Sequence, residues 1–108
     1  MKPLRFLGDS RKALREFPGD ARRDAGRQLW KVQNGNAPDD YKPLNDIGEG
    51  VEEIRVREGS GTFRVIYVAK MPEAVYVLHA FQKKTQKTSK RDIETVKLRL
   101  KRLIRGES

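Results

Sequence analysis

Apolar residues follow a helical spacing from Leu14 to Val32, alternate or run together as in strands from Val51 to Phe81, and return to helical spacing after Ser89. "PLRFLG" is expected as a short edge strand, because Pro3 is tolerated at a strand start. Asp9 or Ser10 offers an N-cap to "RKALREF", a short helix with Leu14 and Phe17 on one side that Pro18 ends. "PGDARRDAGRQLWKVQNG" predicts a second helix. Pro18 or Gly19 opens it, Asp20 sits in its first turn, and Asn34-Gly35 closes it. Ala21, Ala25, Leu29 and Val32 recur on one face. Two short helices joined at a proline predict an αα-hairpin.

"NAPDDYKPLNDIGEG" is polar and rich in Pro, Asp and Gly, and reads as a loop. In "VEEIRVRE" Ile54 and Val56 face one way and Glu53, Arg55 and Arg57 the other. "GSG" supplies a turn. "TFRVIYVAK" is apolar apart from Arg64 and is expected as a central strand. "MPE" turns again, and "AVYVLHAF" completes an antiparallel meander. Ser89 and Asp92 have the spacing of a capping box, with Asp in place of the usual Glu. Beyond them Ile93, Val96, Leu100 and Leu103 or Ile104 form an apolar stripe, and Lys97, Arg99, Lys101 and Arg102 cover much of the rest. The order β-α-α-β-β-β-α predicts an α+β fold, a small antiparallel sheet with an N-terminal helical hairpin and a C-terminal basic helix. At 108 residues a single domain is expected over residues 1–108.

Charge changes this picture. Apolar and charged residues each make up 36%, and the net charge is +9. Residues 1–50 carry 10 basic and 8 acidic groups, residues 51–81 carry 4 of each, and residues 82–108 carry 10 and 3. The excess is therefore C-terminal. It is densest in "HAFQKKTQKTSKR", where Lys83, Lys84, Lys87, Lys90 and Arg91 follow an apolar strand. Concentrated like charge opposes compaction unless a polyanion or a solvated helix face accounts for it. There is no cysteine, so thiolate chemistry and disulfides are excluded. The one histidine, His79, argues against a histidine-based metal site. The start "MKPLRFLGDS" has no apolar h-region and no apolar run approaches spanning length, so a cytoplasmic protein is the expectation.

Arg55 and Arg57, two apart, share a sheet face. They read either as ordinary solvent-facing alternation paired with Glu53 or Glu58, or as part of a basic cluster. Arg64 lies between Phe63 and Val65, where a charge is costly unless it is paired or faces a cleft. His79 reads as a hydrogen-bonded structural residue or as a general acid or base. Trp30 and Tyr41 are expected to pack. Tyr67 and Phe81 are candidates for stacking bases beside a basic groove.

From "GVEEIRVREGSGTFRVIYVAK" through "LHAFQKKTQKT" and the basic helix that follows, the chain resembles the RelE/ParE toxin superfamily, in its phage-derived, HigB-like branch. The upstream "ALREFP…GRQLWKVQNG" and "KPL" fit the same pattern. The resemblance implies a RelE-like fold and a type II toxin that cuts mRNA on the ribosome, the ParE-like alternative being a non-catalytic inhibitor of DNA gyrase. It implies a cognate antitoxin, a helix-turn-helix protein of HigA-like kind, in a hetero-oligomer that binds operator DNA. The other partners implied are ribosome and mRNA, with no membrane. It implies 2′-OH attack on the adjacent phosphate without cofactor or metal. By alignment Arg64 matches the strand arginine at the scissile phosphate, Arg55 and Arg57 match basic positions on the preceding strand, and Lys83 or Lys84 matches the basic residue after the last strand. Lys84, Lys87, Lys90 and Arg91 would grip the RNA backbone. No tyrosine stands near the C-terminus to match the RelE catalytic one, so the resemblance leaves the acid–base assignment open, with His79 or a lysine as the candidates.

Overall fold

The computed structural model describes residues 1–84 and 86–106; Thr85, part of the basic motif quoted above, lies outside them. The chain runs β1 (Leu4–Phe6), α1 (Ser10–Arg15), α2 (Gly19–Gln33), β2 (Tyr41–Pro43), β3 (Val51–Glu58), β4 (Gly61–Val68), β5 (Val75–Lys83) and α3 (Lys90–Ile104). This is the expected α+β class, built as a five-stranded sheet in the order β1-β5-β4-β3-β2 with three helices.

Two expectations need correction. The stretch read wholly as loop contains β2, which pairs antiparallel with β3 through Tyr41↔Ile54 and Pro43↔Glu52. It is three residues long and exposed throughout, so it carries no alternation to read. The sheet is also mixed: β1 pairs parallel with β5, Leu4 opposite Val75 and Phe6 opposite Val77. The chain between them crosses over and returns in the same direction. The central meander β3-β4-β5 is antiparallel, as expected.

The helical hairpin packs on one face of the sheet. Leu14, Phe17, Ala21, Ala25, Leu29 and Val32 meet Ile54, Val56, Phe63, Val65, Tyr67, Val75 and Val77 in one core. Phe17 and Phe63 lie with ring centroids 4.8 Å apart. Asn34 is the C-cap of α2, and Gly35 takes the left-handed φ of +82° that ends it. Trp30 does not pack as expected: it is 56% exposed, because it falls off the stripe occupied by Ala25, Leu29 and Val32. Tyr41, on the short edge strand, is exposed as well.

The opposite face is covered only in part. Val96 and Leu100 of α3 pack against Val51, Ile66, Val68 and Leu78, while Ile104 at the helix end is exposed. Ser89 caps α3, its hydroxyl accepting from the Asp92 N–H at 3.1 Å. Arg99, expected on the solvated side, instead turns inward. It donates to the Leu78 carbonyl (2.9 Å) and to Asp9 (2.7 Å), and its Nη1 stands 3.4 Å from His79 Nδ1. The same guanidinium crosses over Gly8, whose φ of +56° and close contact leave no room for a Cβ.

Arg99→Ala leaves the Leu78 carbonyl and Asp9 without their charged donor and is expected to cost about 2 kcal/mol, read as a lower denaturant midpoint at unchanged slope. The hydrogen bond from Arg99 also holds the Asp9 carboxyl below its ordinary range. A lowered folded-state pKa stabilises above the unfolded value, and that contribution is lost as pH falls through the folded one. Asp9→Asn should therefore lower stability at neutral and alkaline pH, leave it unchanged below the folded-state pKa, and so flatten the acid limb of the profile, read by thermal melts across pH.

Candidate functional site

Strand register decides which side chains share the face of the sheet that α3 covers in part. In β3 and β4, Arg57 stands opposite Thr62, Arg55 opposite Arg64, and Glu53 opposite Ile66. In β4 and β5, Thr62 stands opposite Lys83, Arg64 opposite Phe81, and Ile66 opposite His79. Three cross-strand rows result: Arg57–Thr62–Lys83, Arg55–Arg64–Phe81 and Glu53–Ile66–His79. Side chains in a row sit about 5 Å apart at Cβ. A bulge sets this alignment, since Ile66 pairs with His79 and Tyr67 with Val77, leaving Leu78 as the extra residue. β5 extends to Lys83, which therefore lies on the face of His79 and Phe81, whereas Lys84 lies beyond the strand.

Arg64 occupies the centre of the face and is only 7% exposed. Its Nε lies 3.3 Å from Glu53 Oε1 without hydrogen-bond alignment, and its Nη1 is buried with no hydrogen-bond partner among the described residues. Burial pushes the guanidinium below its ordinary range, and the Glu53 charge opposes that shift. At arginine's starting value the group remains a cation. Arg55 approaches the same Glu53 oxygen (3.9 Å) and Asp40 (3.9 Å). Asp40 is brought there because the Arg55 N–H donates to its carbonyl at 2.9 Å, while Gln28 of α2 ties down the neighbouring Asp39. Arg57 is exposed at the hairpin end of the face.

His79 is held on both nitrogens. Nε2 lies 2.7 Å from Asp92 Oδ1, and Nδ1 faces Arg99. Arg99 can only donate, so Nδ1 accepts and the proton sits on Nε2. The ring stacks on Phe81 with centroids 5.1 Å apart. In this arrangement His79 has no free lone pair and could act as a base only by releasing Arg99.

Phe81, Lys83, Lys84 and Lys87 line a cleft of about 190 Å³ with Ser89 and Asp92 at the start of α3. Lys90 and Arg91, in the first turn of that helix, are exposed beside it. The sequence candidates thus fall into two adjoining groups: the arginine rows on the sheet, and the lysine-lined cleft at its edge. Tyr67 belongs to neither. It is 1% exposed in the core under the helical hairpin, its hydroxyl donating to Glu52 at 2.7 Å. Odd and even positions of β4 face opposite sides, so a residue three beyond Arg64 cannot share its groove. Burial raises the Tyr67 pKa far above its ordinary range, and the bond to Glu52 adds to that.

Glu53 was missed as a member of the site. Its place in the alternation with Arg55 was the available signal, but alternation reads as solvent-facing, and Glu53 is buried at 3% exposure. A larger groove of about 810 Å³, with Phe6, Leu7, Met71 and Leu103 among its lining, opens at the far end of α3 and holds none of the candidates. Among the described residues no cluster of His, Asp and Glu is placed to hold a metal ion, and no helix is long and apolar enough to cross a membrane.

The family model described as phage derived protein Gp49-like (DUF891) matches residues 12–101. The chain belongs to the Gp49-like family. This is a RelE-like, toxin-like family, which sets the chain in a toxin–antitoxin context with an antitoxin as partner. No curated protein matches the chain. The matched span takes in most of α1, all of α2 to β5 and most of α3, and so every candidate residue.

Tyr67→Phe is expected to lower stability by about 1 kcal/mol through loss of one buried hydrogen bond. Its affinity for RNA should equal the native value, read by salt-titrated binding to a short single-stranded RNA.

Proposed function

We propose that this Gp49-like protein is a toxin of the HigB-like branch, an endoribonuclease that cuts mRNA on the ribosome and so blocks translation. The observation that carries the reading is the buried guanidinium of Arg64. Its Nη1 has no hydrogen-bond partner among the described residues, and it stands in one row with Arg55 and Phe81 and next to the row of Arg57 and Lys83. A buried donor without a partner is costly, and a phosphate oxygen is the acceptor that best matches a guanidinium.

In the proposed reaction the 2′-oxygen of one nucleotide attacks the adjacent phosphorus and the P–O5′ bond breaks. The products are a 2′,3′-cyclic phosphate and a 5′-hydroxyl. The 2′-hydroxyl proton goes to a base and the departing 5′-oxygen receives one. Arg64, with Arg55 and Lys83, neutralises the charge that grows on the equatorial oxygens. Phe81 offers a flat surface against which a base can stack, which helps to hold the nucleotides splayed for in-line attack. Lys84, Lys87, Lys90 and Arg91 engage the RNA backbone around the cleft. The proton carrier is His79, once Arg99 releases Nδ1, or Lys83. The antitoxin of HigA-like, helix-turn-helix kind neutralises this face with an acidic segment, in a complex that binds operator DNA.

The test is induction of the protein in cells followed by mapping of RNA 5′-hydroxyl ends. Native protein should give codon-associated ends. Arg64→Lys keeps a cation beside Glu53, so the fold is retained, but removes the planar fork; the ends should fall by about 100-fold. Uncut mRNA with an induced DNA-damage response would instead support the gyrase reading.

A further inference from the structure

We infer that Glu53 is a positioning residue of the basic face: one buried carboxylate that holds two mutually repelling arginines at the spacing a single phosphodiester requires. The catalytic half of this inference rests on the nuclease reading above; the structural half does not.

Arg55 and Arg64 are directly opposed on neighbouring strands. Like charges so placed on a sheet face repel each other. In an interior of lowered dielectric the repulsion is stronger than it would be in water. Left alone, two flexible guanidinium groups would swing apart. Glu53 stands on the same face, one row along, diagonal to Arg64 and two residues before Arg55. A single oxygen, Oε1, lies 3.3 Å from Arg64 Nε and 3.9 Å from Arg55 Nε. The carboxylate therefore meets each arginine at its inner nitrogen. Arg64 Nη1 is left with no hydrogen-bond partner among the described residues.

Burying a carboxylate is expensive, and it is tolerated where cations compensate it. Here the compensation is partial. Among the described residues Glu53 Oε2 has no hydrogen-bond partner either, and neither Nε atom is aligned for one. An arrangement chosen for stability alone would close these bonds or replace the set by apolar side chains of similar volume. What this arrangement provides is orientation: three charged side chains over two strands, net positive by one, with donor capacity unspent. Removing the negative charge would raise the attraction for any phosphate while letting the two arginines separate. Binding and cleavage should then move in opposite directions, an outcome that a purely structural role does not give.

The experiment uses the full chain carrying Glu53→Gln, which keeps the shape and removes the charge. With translating ribosomes, single-turnover cleavage should fall at least about tenfold, while affinity for a short single-stranded RNA equals or exceeds the native value. The pH–rate profile should keep its native shape. In ¹⁵N spectra of the free protein, the native chain should show a slowly exchanging Arg64 Nε–H resonance, and that resonance should broaden or vanish in Glu53→Gln. Adding Arg55→Gln to that variant removes the repulsion and should recover thermal stability relative to Glu53→Gln alone, a coupling that a double-mutant cycle reads. Native-rate cleavage by a folded Glu53→Gln protein would overturn the inference. Faster cleavage would make Glu53 a brake, and loss of the acid limb of the profile would make it a base; both also overturn it. If the native protein cuts no RNA, the nuclease reading fails, and the Nε–H signal and the cycle still decide whether Glu53 positions the arginines.

Discussion

The facing of Arg55 and Arg64 across the β3–β4 pair is the constraint on which the uncovered face depends. Two cations at adjacent positions of a sheet are unfavourable, and burial of Arg64 deepens the cost. Only Glu53, with Asp40 at longer range, opposes it from within the described residues. The result is a region whose charges are held but not satisfied. Under the proposed function, that condition suits a face that receives an anion, since a donor already saturated by protein groups has nothing left to offer a phosphate.

Whether the other members of the face join these arginines depends on one extra residue. With regular pairing beyond Tyr67↔Val77, Ala80 would stand opposite Arg64, and His79, Phe81 and Lys83 would turn toward the helical hairpin. The bulge at Leu78 prevents this. It lets Leu78 pack beneath α3 with Ile66 and Val68, and it restores the later residues to the face of Arg64. His79 then meets Asp92 and Arg99, and through them α3 and Asp9. The bulge thus aligns the basic rows and also seats the helix that borders them.

The two sides of the sheet divide the work. Under α1 and α2 the interior is apolar, with Tyr67 bonded to Glu52 at its margin. On the other side α3 covers one end and leaves the other to charge. The match to the Gp49-like family extends across both sides, because residues 12–101 include α2, strands β2 to β5 and most of α1 and α3.

Much of this was legible in the residues. Period-two alternation in "VEEIRVRE", the apolar runs of β4 and β5, the stripe of Ala21, Ala25, Leu29 and Val32, and the cap at Ser89 all depend on local preferences that act within a few residues. So did the grouping of Arg55 with Arg57 on one face, and the resemblance of the strand and lysine motifs to RelE-like toxins. Tertiary structure alone decided the rest. Nothing local marks the three exposed residues of β2, the parallel direction of β1 against β5, or the bulge, because each arises from pairing between distant segments. Glu53 and Arg99 read as surface charges until strand register and helix packing buried them, and Tyr67 and Trp30 changed places between groove, core and surface for the same reason. A sequence states which side chains alternate; only the register between strands determines which of those alternating charges come to lie opposite one another.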